Sequence, residues 1–242
     1  MSTENKQITH KIQESIERNF KSIKLNIETF DLTDKQKSLV ELAFKRDTRI
    51  VFVNGVAGSS KTFLAVYAAL HLYNKNPKYE IKYIRTIAES GEKALGSLPG
   101  GVNEKFNPFI MPLVDKLEEL LHISHYKYLI DNNIIESLPV NFLRGASWNE
   151  KIIIADEAQN YSTKELVTLL TRIGKDTKMF ICGDPMQSDI NGKTGFTKIF
   201  NLFNNEESEK QGIYCFEFEE NDIFRSEILK YLVSSFKKID KI

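Results

Sequence analysis

Short apolar runs alternate with amphipathic segments along most of this chain. The strand-like runs lie at 50–53, 80–85, 138–143, 151–155, 178–182 and 212–218. Helical patterns lie at about 33–46, 63–70, 103–121 (redirected at Pro108 and Pro112), 162–174 and 222–237. Strands that alternate with helices predict an α/β domain with a mostly parallel sheet flanked by helices.

The first 31 residues have a different pattern. Ile8, Ile12, Ile16 and Phe20 recur at four-residue spacing, which predicts one apolar stripe on a helix. We therefore expect a helical N-terminal arm at 1–31 and a single domain at 32–242. The stripe is expected either to pack on the core or to serve as an oligomer contact.

Composition limits the classes of function. The chain has 242 residues with 33 basic and 33 acidic side chains, so a strongly basic nucleic-acid-binding surface is absent at the level of the whole chain. The chain contains no run of about 18 apolar residues of the kind that spans a membrane. We therefore expect a cytoplasmic protein. Cys182 and Cys215 lie in strand-like runs and are expected to be buried, reduced thiols.

The run at 50–53 ends in a loop of small residues, which leads through Lys61-Thr62 into a helical pattern. This arrangement binds nucleoside triphosphates, because loop N–H groups and the helix N-terminus surround the phosphates. Lys61 is predicted to reach the β/γ oxygens, and the Thr62 hydroxyl to ligate Mg²⁺. The predicted nucleotide-binding residues of this loop are Gly55, Ala57, Gly58, Ser59, Ser60, Lys61 and Thr62.

The loop departs from the pattern G-x-x-x-x-G-K-[ST] at one position. Ser60 stands where the second glycine is expected. Its Cβ would crowd the phosphates, although Gly58 adds backbone freedom nearby. The residue leaves affinity for ATP and rate of turnover open.

Two further polar clusters follow predicted strands. Asp156 comes directly after the run at 151–155 and fits a Mg²⁺-binding carboxylate, while Glu157 fits a general base for the attacking water. Gln187, in the segment after the run at 178–182, would sense the γ-phosphate or position water. Because sites in parallel sheets form at the carboxyl ends of strands, we expect these clusters and the loop to share one crevice.

Five segments together resemble the PhoH family of P-loop ATPases, which are related to the cores of superfamily 1 helicases. They are Gly55-Val-Ala-Gly-Ser-Ser-Lys-Thr62, Glu89-Ser-Gly-Glu-Lys-Ala-Leu-Gly-Ser-Leu-Pro-Gly100, Arg144-Gly145, Asp156-Glu-Ala-Gln-Asn160 and Gly183-Asp-Pro-Met-Gln-Ser-Asp189. The resemblance runs from about Leu32 to the end of the chain. It implies a single RecA-like ATP-binding domain with Gln36 on the adenine.

The resemblance also implies partners. It suggests Mg²⁺-dependent ATP hydrolysis coupled to translocation on, or remodelling of, single-stranded nucleic acid, RNA in preference to DNA. Since superfamily 1 helicases use two RecA-like cores, one core implies a homo-oligomer, a ring such as a hexamer. Phosphoryl transfer gains from a cation at the γ-phosphate, and Arg172 or Arg225 is the candidate, serving a neighbouring subunit.

Two other functions remain open. A nucleotide-dependent regulatory or binding module with little or no turnover is favoured by Ser60. A small-molecule kinase is less consistent with Glu157 and Gln187, because both suit the activation of water. Glu118, His122 and His125 have the spacing of one helical face and could ligate a metal, but no motif supports this, and a solvated helix face is the preferred interpretation.

Overall fold

One six-stranded parallel sheet organises the part of the chain that the computed structural model describes, residues 23–86, 107–143, 148–188, 194–223 and 227–236. The strands are β1 (Ile50–Gly55), β2 (Glu80–Arg85), β3 (Ile135–Pro139), β4 (Lys151–Ala155), β5 (Lys178–Gly183) and β6 (Ile213–Phe218). Their order is β3-β2-β4-β5-β1-β6, and every neighbouring pair is parallel. The predicted fold class, an α/β domain with a mostly parallel sheet flanked by helices, is confirmed.

The helices cover both faces of this sheet. They are α1 (Asp34–Phe44), α2 (Lys61–Lys75), α3 (Asn107–Leu120), α4 (Ile123–Asp131), α5 (Thr163–Leu170), α6 (Gly195–Phe203), α7 (Glu206–Lys210) and α8 (Glu227–Phe236). Helices α1 to α4 pack on one face and α5 and α6 on the other. Alternate residues of β1 divide between the two cores: Val51 and Val53 join the first, and Ile50 and Phe52 the second. The run at 50–53 is therefore buried on both faces of the sheet, which explains why it is apolar without alternation.

Capping residues fix where two helices begin. The Thr33 hydroxyl accepts a hydrogen bond from the Gln36 N–H and the Gln36 side chain accepts one from the Thr33 N–H, which closes a capping box on α1. Ser162 and Glu165 do the same for α5. Both N-termini lie where the sequence predicted them. These bonds satisfy helix N–H groups that would otherwise lack partners.

Two predicted segments differ from the structure. The strand expected at 138–143 is a 3₁₀ turn in its second half, because β3 ends at Pro139, whose ring removes a ladder donor. The helix expected at 103–121 is described from Asn107, where it begins as α3, and continues through Pro112 rather than being redirected there.

The predicted helical face of Glu118, His122 and His125 is wrong, because α3 ends at Leu120 and α4 begins at Ile123. Each of the three side chains instead has a local partner: Tyr126 Oη donates to Glu118, the Ser124 N–H to His122, and the Asn26 N–H to His125.

Residues 23–31 belong to the arm that was predicted to be helical, but they contain no helix and lie against the domain. Ile27 forms an isolated antiparallel bridge with Leu121, and Leu25 is 3% exposed within the first core. The Asn74 side chain on α2 accepts a hydrogen bond from the backbone N–H of Leu25 and donates one to its carbonyl oxygen. The apolar stripe predicted between Ile8 and Phe20 falls outside the described residues.

The two cysteines are free thiols. Cys182 is buried as expected, whereas Cys215 is only half-buried and its Sγ lies 3.4 Å from the Phe200 carbonyl oxygen. Burial raises the pKa of the Cys215 thiol to about 12. Within the described ranges, no helix has the length and apolar character needed to cross a membrane.

Candidate functional site

The loop between β1 and α2 turns sharply through two residues with left-handed backbones. Gly58 has φ +79°, and Ser60 has φ 63° and ψ 20°. Ser60 thus adopts the conformation that the glycine of the sequence pattern favours. This backbone costs an L-residue about 1–2 kcal/mol. The backbone of the loop is therefore strained at position 60.

Small side chains close the base of the loop. A Cβ at Gly55 would lie 2.8 Å from Ser59 Oγ and 2.9 Å from Phe218 Cβ, so no larger residue fits there. The fully buried Ser59 donates its hydroxyl to the Val56 carbonyl oxygen at 2.8 Å. Both residues hold the loop from beneath rather than facing the cavity described below.

Lys61, the first residue of α2, lies inside the turn of the loop. Its Nζ donates to the carbonyl oxygens of Gly55 at 2.7 Å and Val56 at 3.0 Å. Burial lowers the pKa of the ammonium group, and the nearby carboxylate of Asp184 opposes that effect. A desolvated ammonium beside main-chain oxygens is well placed to exchange them for phosphate oxygens.

Asp156, at the carboxyl end of β4, is 5% exposed and tightly bonded. Thr62 Oγ1 donates to its Oδ1 at 2.6 Å, and Tyr83 Oη donates to its Oδ2 at 2.5 Å. Burial, together with the Asp156 charge, raises the pKa of the Tyr83 hydroxyl far above its usual range, so tyrosine remains a donor. A hydroxyl and a carboxylate oxygen side by side are the hard oxygen donors that Mg²⁺ prefers. The donor set therefore fits Mg²⁺.

Glu157 is held by a side chain whose role the sequence did not indicate. Its backbone is left-handed (φ 53°), and its Oε2 accepts a hydrogen bond from Gln159 Nε2 at 2.6 Å. Gln159 is 1% exposed, and its Oε1 accepts from the backbone N–H of Asp184 at 2.9 Å. Gln159 thus joins the Asp-Glu segment after β4 to the Gly-Asp segment after β5. The signal available in the sequence was its place within Asp156-Glu-Ala-Gln-Asn160, one of the five segments that carry the family resemblance.

Arg85 is a second residue that sequence reasoning missed. It ends β2, and its Nε lies 3.8 Å from Asp156 Oδ2 while one terminal nitrogen lies 3.6 Å from Glu157 Oε1. The available signal was its position at a strand end, the same position that identified the other clusters.

A single cavity of about 600 Å³ brings these groups together. Of the predicted site residues, it is lined by Gln36, Ala57, Gly58, Ser60, Lys61, Thr62, Asp156, Glu157 and Gln187. The three strand ends meet because β5 lies between β1 and β4 in the sheet. The predicted convergence of the three segments is therefore present in the geometry.

An aromatic side chain and a side-chain amide also line the cavity. Phe30, also a lining residue, is 42% exposed and contacts the Phe63 ring edge-on with centroids 5.0 Å apart. Gln36 is 5% exposed, and its Oε1 is already engaged by the Thr33 N–H at 3.1 Å. An exposed aromatic face beside a side-chain amide suits a nucleobase. Phe30 was not among the predicted residues.

Of the two predicted arginines, Arg172 is the one that the structure describes, and it does not line this cavity. Arg172 lies at the opposite edge of the sheet, since its carbonyl oxygen accepts from the N–H of Trp148, which precedes β4. It is separated from the site of its own chain by the length of a five-residue strand, roughly 16 Å. Arg225 and Arg144 fall outside the described residues. A role for Arg172 or Arg225 at a neighbouring subunit stays a prediction.

Comparison with known proteins identifies relatives along most of the chain. The model of the PhoH family, described as PhoH-like protein, matches residues 29–237. A PhoH-like protein of Bacillus subtilis (strain 168) is 32% identical over 228 residues, which cover 93% of this chain and 68% of that protein. A PhoH-like protein of Synechocystis sp. (strain ATCC 27184 / PCC 6803 / Kazusa) is 30% identical over 208 residues, 85% of this chain and 61% of that protein. The relatives are thus longer than the matched region.

Among solved structures, the Pif1 helicase from Candida albicans superposes with a TM-score of 0.43 at 15% sequence identity. The match covers 85% of this chain and 43% of that one.

Proposed function

This chain belongs to the PhoH-like protein family, and we propose that it binds ATP with Mg²⁺ and hydrolyses the terminal phosphate. The observation that carries the proposal is the shared cavity. Lys61, Thr62, Asp156, Glu157 and Gln187 line it together, although they come from three separate segments of the chain. Their chemistry matches what phosphoryl transfer to water needs: a cation, Mg²⁺ ligands, a base and a polar amide.

Each residue has a distinct part in the reaction. Lys61 exchanges its bonds to the Gly55 and Val56 carbonyl oxygens for bonds to β- and γ-phosphate oxygens. Thr62 and Asp156 would hold Mg²⁺, which neutralises phosphate charge when bound. Glu157 accepts a proton from water as the water oxygen bonds to the γ-phosphorus. The bond from that phosphorus to the bridging oxygen then breaks, and ADP and phosphate leave.

The base residue provides the first test. Phosphate release is measured with Mg²⁺ and ATP for the wild type and Glu157→Gln, and binding of ATP is measured separately by calorimetry. General-base catalysis contributes about 10²–10⁴-fold, so turnover should fall by that amount while ATP still binds. Arg46→Ala, an exposed change before β1, should retain full activity. Full activity in Glu157→Gln would contradict the assigned role.

We also infer that turnover is coupled to single-stranded nucleic acid, RNA in preference to DNA, in a ring-shaped homo-oligomer. The family relationship to helicase cores supports this, together with the single P-loop sheet in the described residues. Phosphate release should rise on addition of single-stranded RNA and less with DNA, and light scattering should give a multimer. A monomer whose turnover ignores both nucleic acids would refute the coupling.

A regulatory module with little or no turnover is the second candidate. The strained backbone at Ser60 and the engagement of Lys61 Nζ by its own loop both favour it. In that case ATP binds with ordinary affinity, but phosphate release stays at the level of Glu157→Gln even with RNA present. Release that depends on a small-molecule acceptor would instead indicate a kinase.

A further inference from the structure

We propose that Arg85 contacts the γ-phosphate of ATP from within its own chain and supplies a second cation there, in addition to Lys61. The inference rests on the proposed function of the cavity. It assigns to a residue of the same chain the part that was predicted for Arg172 or Arg225 of a neighbouring subunit.

The sheet register fixes where Arg85 lies. β2 is the direct neighbour of β4, with Ile84 opposite Ala155, and the Asp156 N–H donates to the Ile84 carbonyl oxygen at 2.9 Å. The residue after Ile84 is therefore level with Asp156 at the carboxyl edge of the sheet. Arg85 is held there by the strand pairing rather than by a surface loop, which limits how far its side chain can leave the site.

The guanidinium group lies near both carboxylates but is bonded tightly to neither. Its distances of 3.8 Å to Asp156 and 3.6 Å to Glu157 exceed the range of about 2.7–3.2 Å for an N–H···O hydrogen bond. Within the described ranges, no other polar partner of this group is identified. Its side chain is 24% exposed and lines the cavity. Five N–H donors in a planar fork are thus available to phosphate oxygens.

Two lysines also line the cavity, and each has partners in this structure. Lys61 Nζ is bonded to two loop carbonyl oxygens, and Lys116 Nζ is paired with Glu119 at 2.7 Å. Among the described residues that line the cavity, Arg85 is the one arginine. Arg85 lies beside Glu157, the proposed base. Its positive charge is therefore close to the place where negative charge accumulates as the γ-phosphate is attacked. Preorganised donors aimed at such charge give the largest catalytic effects.

Affinity for ADP and ATP provides a test that does not depend on turnover. ADP has no γ-phosphate, so Arg85→Ala should bind ADP within about threefold of the wild type. The same variant should bind a nonhydrolysable ATP analogue about tenfold more weakly, since one charge-assisted contact is worth about 1.5–3 kcal/mol and tenfold is 1.4 kcal/mol. Arg85→Lys should recover part of the lost affinity for the ATP analogue, because lysine keeps the positive charge as a point charge. Equal loss for both nucleotides would mean that Arg85 only supports the fold and would overturn the proposal.

Turnover provides the second test. Loss of a preorganised donor lowers turnover by about 10²–10³-fold, and Arg85→Ala should show such a loss with an unchanged unfolding midpoint. If Arg85→Ala does not fold, Arg85→Gln is measured in its place. Unchanged turnover in a folded variant would refute the assignment. If the wild type itself releases no phosphate, the hydrolytic function fails, yet the ADP and ATP affinities still decide the contact.

Mixing of variants separates a contact within one chain from a contact between subunits. Arg85→Ala and Lys61→Ala subunits are combined after unfolding and refolding. If Arg85 acts within its own chain, every site in the mixture lacks one of the two residues and the mixture stays inactive. Recovered phosphate release would show that Arg85 reaches a neighbouring site and would overturn the claim. The same mixture with Arg225→Ala in place of Arg85→Ala tests the alternative finger.

Discussion

Replacing Ser60 by glycine tests whether the backbone of the phosphate-binding loop is strained at this residue. Ser60 has φ 63° and ψ 20° and makes no capping hydrogen bond with its side chain. Glycine removes a conformational cost of about 1–2 kcal/mol, but it also makes the unfolded chain more flexible, by about 0.5–1 kcal/mol. The net expectation is a stabilisation of about 0.5–1 kcal/mol. For a domain of this size, 1 kcal/mol corresponds to about 2–4 °C in Tm.

The loop should keep its shape in Ser60→Gly, because the backbone already has the conformation that glycine adopts freely. Removal of the Cβ also opens space beside Lys61 in the cavity. The Kd for ATP should therefore be equal to or lower than that of the wild type. A rise in turnover of tenfold or more would show that Ser60 limits hydrolysis and would support a regulatory role for the natural residue.

Thermal unfolding followed by circular dichroism, and calorimetry with Mg²⁺ and ATP, measure the two effects. Glu150→Gly is the matched control, since exposed Glu150 also has a left-handed backbone (φ 52°) and precedes β4 at the opposite edge of the sheet. It should gain similar stability without any change in ATP affinity. If Glu150→Gly is stabilised and Ser60→Gly is not, the loop is not strained at position 60. Weaker ATP binding by Ser60→Gly would refute the claim that its Cβ only crowds the cavity.

Three further predictions concern buried groups. Gln159→Leu leaves the backbone N–H of Asp184 without its acceptor, so the free energy of unfolding should fall by about 1–3 kcal/mol and phosphate release should fall with it. An active, stable leucine variant would contradict this. Gly183→Ala places a Cβ 2.9 Å from the Phe196 ring, which should cost about 1–3 kcal/mol in urea unfolding and be partly relieved by Phe196→Leu; a neutral effect would contradict it. Burial lowers the pKa of Lys178 to about 8 from an ordinary 10.5, so the folded state releases this proton at lower pH than the unfolded state does, and the lysine's contribution to stability should rise between pH 8 and 10.5. Stability curves of the wild type and Lys178→Gln should then diverge across that interval, and parallel curves would exclude the effect.

The strands and the caps could be predicted because their signals are local. The continuous apolar run of β4 and the pair Ser162 and Glu165 each depend on neighbours within a few residues. Pro139 was also a local signal for the end of β3, but it was not used. The break between α3 and α4 could not be predicted in this way, since Leu121 pairs with Ile27, which is distant in the sequence. Helix α6 was missed although Phe196, Ile199 and Phe200 have helical spacing.

The same difference applies to the candidate site. Lys61 and Asp156 belong to segments whose chemistry is visible in the chain, so their meeting at the carboxyl edge followed from one geometric rule. Arg85 does not carry such a motif. Its proximity to Asp156 depends on β2 pairing with β4, and the order of strands in a sheet is not contained in the sequence of any one strand.

The hydrogen bonds of Gln159 explain why Glu157, the proposed base, and the segment after β5 should act as one unit. The Gln159 amide donates to Glu157 with its nitrogen and accepts from the Asp184 N–H with its oxygen. Any movement of the Asp184 backbone must therefore either carry the amide along or break a bond in the protein interior. Gln187 follows in the same 3₁₀ turn, with its N–H donating to the Asp184 carbonyl oxygen at 3.0 Å. Contact between Gln187 and a γ-phosphate would thus be transmitted to the orientation of the Glu157 carboxylate through only two intervening hydrogen-bonded groups.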